Sequence, residues 1–145
     1  MERENVEDKA LEASGSPEAH GGRSFSDIHG DFWEVPIYFS AAAAHDKRLN
    51  PTIRGVIVYN LGIISGINEM LLKMYFFGPG SEVLDKPENK VEYSALMLRL
   101  KALYENYRSA KRLNAANINE NLEQIILDLL DFSRKIMKES KAGRC

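Results

Sequence analysis

Between Asn50-Pro51 and Gly78-Pro79-Gly80 lies the stretch that most constrains what this chain can fold into. Asn50 offers a side-chain oxygen as an N-cap, and Pro51 occupies the first turn, where its missing N–H costs nothing. Gly78-Pro79-Gly80 stops the helix at about Phe77. The segment enclosed is apolar almost all the way round, which predicts a helix at the centre of a bundle. Gly55, Gly62 and Gly66 align on one of its faces. A glycine inside a helix costs about 1 kcal/mol relative to alanine, so this alignment predicts a neighbouring backbone in close contact.

The flanking segments read as further helices. Phe32, Trp33, Val35, Ile37, Tyr38 and Phe39 lead into Ala41 to Ala44, and Pro36 starts a first helix over about 36–46. A polar loop over 81–89 separates the central helix from a third at about 90–113. Asn114 to Asn117 reads as a break, and Asn119 caps a fourth helix over about 120–139. There Leu122, Ile125, Ile126, Leu129, Leu130, Phe132, Ile136 and Met137 form a broad apolar arc. Val56 to Tyr59 taken alone would pass as a strand, but no bounded period-2 run competes with the helical pattern. The expectation is an all-α, compact bundle of four to five helices.

A chain of 145 residues with 44% apolar side chains can build one core. Residues 1–24 contain almost no large apolar side chains, so they read as a disordered acidic leader to a bundle domain over 25–145. Three Lys/Arg against six Asp/Glu in the first 23 residues account for the net charge of −2, leaving sixteen against fifteen in the rest. Bulk polycation behaviour is excluded, and any basic surface must be local. Cys145 is the sole cysteine, so no internal disulfide forms and a cytoplasmic protein is the default expectation. The N-terminus lacks the basic and apolar regions of a secretory signal. The longest near-apolar run, about Gly55 to Ile67, is shorter than the roughly 18 residues of a membrane span.

Catalytic patterns find little support. Ser26-Asp27-Ile28-His29-Gly30-Asp31 resembles the first metal-binding block of calcineurin-like metallophosphoesterases, in which an Asp-x-His pair at a strand end ligates a divalent ion. No buried strand precedes Asp27 here, and only His45 follows His29. A helix cap and a turn are the simpler reading. Neither a nucleophile elbow nor a phosphate-binding glycine loop is present. No catalytic residue, metal or cofactor is expected.

The remaining signal is a pair of stripes on the third helix. At about 100° per residue, Leu96, Leu100, Leu103, Tyr107 and Ala110 share one side. Lys101, Arg108 and Arg112 fall on a narrow arc roughly a third of a turn away. With Lys111 they gather around Tyr104, while Lys47, Arg48 and Arg54 flank the start of the central helix. Lys and Arg contacts to phosphate give salt-dependent affinity without reading sequence, and a tyrosine can stack on a base or ribose. Glu105 interrupts the patch, and a solvated helix face is the competing reading.

Two stretches carry a family resemblance: Leu49-Asn50-Pro51-Thr52-Ile53-Arg54, and Leu98-Arg99-Leu100-Lys101-Ala102-Leu103-Tyr104 followed by Arg108. In order, spacing and helical setting they resemble the small helical subunit of type III-A (Csm) CRISPR effector complexes. The resemblance implies a non-catalytic subunit whose copies stack along a guide–target RNA duplex and contact its backbone. Its partners would be other effector subunits and further copies of itself. Arg54 and Arg108 are the positions matching the family pattern; Lys101, Tyr104, Lys111 and Arg112 extend it by the basic stripe. The C-terminal part is shorter than in that family and lacks its aromatic-rich ending. A helical protein-interaction or antitoxin-like regulatory module, using the apolar face of the last helix or the aromatics around Trp33, is the alternative.

Overall fold

Asn50 starts the central helix as its chemistry predicts, its side-chain oxygen accepting the Ile53 N–H at 2.9 Å. The computed structural model describes residues 22–142, so most of the expected leader and Cys145 lie outside the described residues. Six helical segments follow in order: α1 Phe25–Phe32, α2 Val35–Ala44, α3 Pro51–Phe77, α4 Ser81–Leu84, α5 Pro87–Ser109 and α6 Ala115–Ala142. There is no strand among the described residues, and the fold is an all-α bundle.

Helix α3 packs chiefly against α2 and α6, and α6 also covers α5. Ile57, Leu61, Ile64, Ile67 and Leu71 line its inner face, meeting Leu122, Ile125, Leu129, Phe132 and Ile136 of α6 within one hydrophobic core. Most of the apolar arc of the last helix is therefore consumed inside the bundle, with Met137 left exposed. One polar pair is matched inside the core: the buried Tyr93 hydroxyl donates to Asn68 Oδ1 at 3.0 Å. Burial pushes that phenol far above its ordinary range.

Four details differ from the sequence reading. Residues 25–32 form a helix, because Ser24 and Asp27 make a capping box in which each side chain accepts the other's backbone N–H. The loop expected over 81–89 contains α4, and α5 begins at Pro87. Helix α5 ends at Ser109 and Ala110 is extended, so Lys111 and Arg112 lie beyond the helix and do not share an arc with Lys101 and Arg108. Helix α6 starts at Ala115, where Asn114 rather than Asn119 supplies the cap by accepting the Asn117 N–H at 3.1 Å.

The glycine face of α3 reverses its expected orientation. Nothing lies within 4 Å of a Cβ built at Gly55, Gly62 or Gly66, so these residues face open space and not a neighbouring backbone. Helical periodicity places them together but does not say which side of the helix is inside. Helix α3 is also long and apolar enough to cross a membrane by length and composition, although the run from Gly55 to Ile67 alone is not. Here its inner face is occupied by core packing.

Candidate nucleic-acid interface

Most of the residues singled out in sequence lie toward the end of the bundle where α3 begins and α5 finishes, with Lys101 two turns further back along α5. Asp46, in the link between α2 and α3, is the junction. Its carboxylate accepts the Tyr107 hydroxyl of α5 at 2.5 Å, and Arg48 grips it with Nε at 3.0 Å and Nη2 at 2.7 Å. Arg48 Nη1 donates onward to the Ala110 carbonyl at 2.7 Å, closing the C-terminal end of α5 against the link. The Arg48 guanidinium holds the Asp46 carboxyl well below the usual carboxylate range. Burial, with help from Asp46, pushes the Tyr107 phenol up to about 12.

This latch brings two cationic segments, some fifty residues apart in sequence, to one end of the molecule. Arg54 lies one turn into α3 and is half-buried, its Nε out of contact with solvent and without a hydrogen-bond partner among the described residues. Lys101 is half-buried on α5, while Lys111 and Arg112 are exposed in the turn that follows. Arg108 is in the last turn of α5, where the helix dipole favours a cation. Its guanidinium lies over the Tyr104 ring, 5.4 Å from the centroid, and pairs loosely with Glu105 at 3.4 Å. Arg48 and Arg108 thus have acidic partners, whereas among the described residues no ion pair engages Lys47, Arg54, Lys101, Lys111 or Arg112.

Tyr104 does not stand free. Its ring packs on Phe39 of α2 at 5.2 Å between centroids, and Phe39 also meets Tyr107 at 5.0 Å. Engaged by Phe39 and by Arg108, Tyr104 sets the direction of the guanidinium and offers less ring to a base than the sequence suggests.

A groove of about 410 Å³ adjoins these cations, with Arg99, Asn106, Arg112, Asn114, Asn117 and Asn121 on its polar side and Leu103, Leu113, Ile118 and Ile125 on its apolar side. Arg99 at its rim pairs with Asp128 of α6 at 2.6 Å. Amide side chains donate to phosphate and sugar oxygens as readily as they accept. Sequence reasoning missed this groove, although the density of asparagines from 106 to 121 was its visible sign.

The Asp-x-His segment takes another form. Asp27 is exposed and spends its carboxylate on the α1 cap, while His29 is buried against Phe25, with ring centroids 6.1 Å apart. No cluster of three or more His, Cys, Asp or Glu side chains suited to a metal occurs among the described residues. Comparison of the chain with known protein families, with curated proteins and with solved structures finds no match.

Proposed function

We propose that this protein is a non-catalytic, RNA-backbone-binding helical subunit of a cytoplasmic ribonucleoprotein, in the manner of the small subunit of type III-A CRISPR effector complexes. The observation that carries this reading is the Asp46 latch, because it holds the α3 start and the α5 end together, where Lys47, Arg54, Lys111 and Arg112 have no acidic partners among the described residues. Arg54, Lys101, Arg108, Lys111 and Arg112 would contact phosphates, Tyr104 would steady Arg108, and the asparagine groove would receive sugar or phosphate oxygens. No base-reading geometry is required, so affinity is independent of sequence and the partner is the backbone itself. By the resemblance, that backbone belongs to a guide–target duplex and the neighbours are other effector subunits or further copies.

A salt titration of binding to a mixed-sequence RNA duplex, followed by fluorescence anisotropy, tests the reading. Combined Arg54→Gln, Arg108→Gln and Arg112→Gln should weaken binding and flatten the logarithmic salt slope by about 0.9 for each phosphate no longer neutralised. The circular dichroism of the helices should not change. An unaltered slope and affinity would sink the assignment.

The open apolar face of α3 favours a second reading, a protein-interaction module. The last helix offers less to a partner, since most of its apolar face is packed in the core. Both readings can hold in one molecule, since the basic end and the apolar face use different residues.

A further inference from the structure

Helix α3 presents a long apolar surface to solvent. Tyr59 is 69% exposed, Phe76 59% and Phe77 88%, with Val56 and Met70 beside them. At roughly 200 Å² for each aromatic side chain, the three rings alone leave on the order of 450 Å² open. Val56, Met70 and the stem of Lys73 lie around them. Exposed apolar patches of several hundred Å² mark interaction sites.

We infer that a second copy of this chain covers it, with the two α3 helices antiparallel about a two-fold axis at Gly66. The order of residues along the strip carries the commitment. In an antiparallel pair centred on Gly66, residues whose numbers sum to 132 come level with one another. Gly55 then meets Phe77, Gly62 meets Met70 and Tyr59 meets Lys73, while Val56 and Phe76 fall on opposite edges of the seam. Small residues in the first half receive large ones from the second half, and an ammonium lies over an aromatic ring. Gly66 meets its own copy at the point of closest approach, where the absence of a side chain lets the backbones close. A parallel pair would instead set glycine against glycine, Phe77 against Phe77 and Lys73 against Lys73, leaving gaps and a like-charge contact. The charges on the strip, Glu69 and Lys73, pair within the helix at 3.3 Å, so two copies meet without net repulsion. An isologous pair of this kind closes on itself, as two-fold dimers do.

The inference does not rest on RNA binding, and its test contains no RNA. Sedimentation equilibrium of the full chain should give twice the 16.4 kDa monomer mass at micromolar to high-micromolar concentration. Gly66→Leu should return it to monomer. Because nothing lies within 4 Å of a Cβ at that position in the single chain, the variant should keep its helical circular dichroism and should not melt earlier. In a Cys145→Ser background, Tyr59→Cys and Lys73→Cys chains should crosslink with each other more readily than either does with itself. A monomer at several hundred micromolar, a dimer indifferent to Gly66→Leu, or preferential crosslinking of like chains would overturn the proposal. Flotation of monomer with neutral phosphatidylcholine vesicles would assign the strip to lipid and overturn it equally.

Discussion

Two carboxylates, Asp46 and Asp85, do the same job at opposite ends of α3 with different company. Asp85 accepts the buried Phe25 N–H at 2.8 Å and the Tyr75 hydroxyl at 2.8 Å, tying α1, the end of α3 and the α4–α5 link together. Asp46 likewise binds a phenol, but its other partner is the Arg48 guanidinium. Around Asp85 the cations are engaged: Arg23 with Asp31, Lys86 with Glu139, and the buried Lys90 with the Arg23 carbonyl at 2.6 Å. Around Asp46 several are not. The Asp85 end spends Arg23, Lys86 and Lys90 within the fold, whereas the Asp46 end leaves Lys47, Arg54, Lys111 and Arg112 without acidic partners among the described residues.

Removing the two carboxylates separates these roles most sharply. Asp85→Ala strands a buried backbone N–H and a phenol at the junction of three elements, and should cost about 3 kcal/mol in urea-induced unfolding. RNA affinity should stay the same at temperatures where the variant is folded. A loss below about 1 kcal/mol would show that water or a neighbour replaces Asp85, and the two ends would then not be equivalent anchors.

Asp46→Asn should cost less, about 1 to 2 kcal/mol, because the Arg48 side of the contact is exposed and screened by solvent. It should also act in the opposite direction on binding. With the carboxylate gone, Arg48 joins the unpaired cations, and affinity for an RNA duplex at low salt should rise about threefold. Weaker binding would mean that the latch, by positioning α5 on α3, matters more than the charge it neutralises.

Acid should reach the two ends in sequence. His29, near the Asp85 end, is buried with its Nε2 unpartnered, and burial lowers its pKa. Around it lie the Phe25 ring, Asn68 and the exposed Glu69 carboxylate across the α1–α3 groove. A depressed histidine pKa means that the unfolded chain binds the proton first. Stability from this group is complete above about pH 6.5 and falls as pH drops below that value. His29→Leu should flatten the stability profile over that window. Asp46, whose pKa is also depressed, gives stability that persists until pH falls below the ordinary carboxylate range near 4. A profile unchanged by His29→Leu would mean that the imidazole already reaches water in the folded protein.

What the sequence reveals of this contrast follows from range. Caps and stops are local chemistry, so Asn50-Pro51 and Gly78-Pro79-Gly80 bound α3 correctly. The Ser24–Asp27 capping box is just as local, but Asp27-Ile28-His29 draws attention to metal chemistry and hides the helix beneath it. Two asparagines compete to start α6, and Asn114 prevails with the help of Ala115 and Ala116, which are strong helix formers. The orientation of the glycine face could not be read, because α3 is apolar on both sides and periodicity is blind to which side is buried. The site is legible as a set of cations but not as a place. Arg54 and Arg108 share one end of the bundle because Asp46 reaches Tyr107 across 61 residues, and no local pattern encodes that contact.

The smallest expected effect tests how much of the basic end is already spent. Glu105 is half-exposed and holds Arg108 at 3.4 Å, a distance and setting worth less than about 0.5 kcal/mol. Glu105→Gln should therefore leave the unfolding midpoint nearly unchanged. The Arg108 guanidinium stays over Tyr104, which Phe39 holds in place, so its direction does not depend on the carboxylate. Removing a negative charge one turn from Arg108 should then raise RNA affinity about two- to threefold at roughly 50 mM salt, with the gain disappearing at about 300 mM as the screening length shortens. If affinity rises equally at both salt concentrations, a direct contact to the new amide is responsible. If it falls, Glu105 positions Arg108, and the interruption of the basic stripe is part of the site and not a dilution of it.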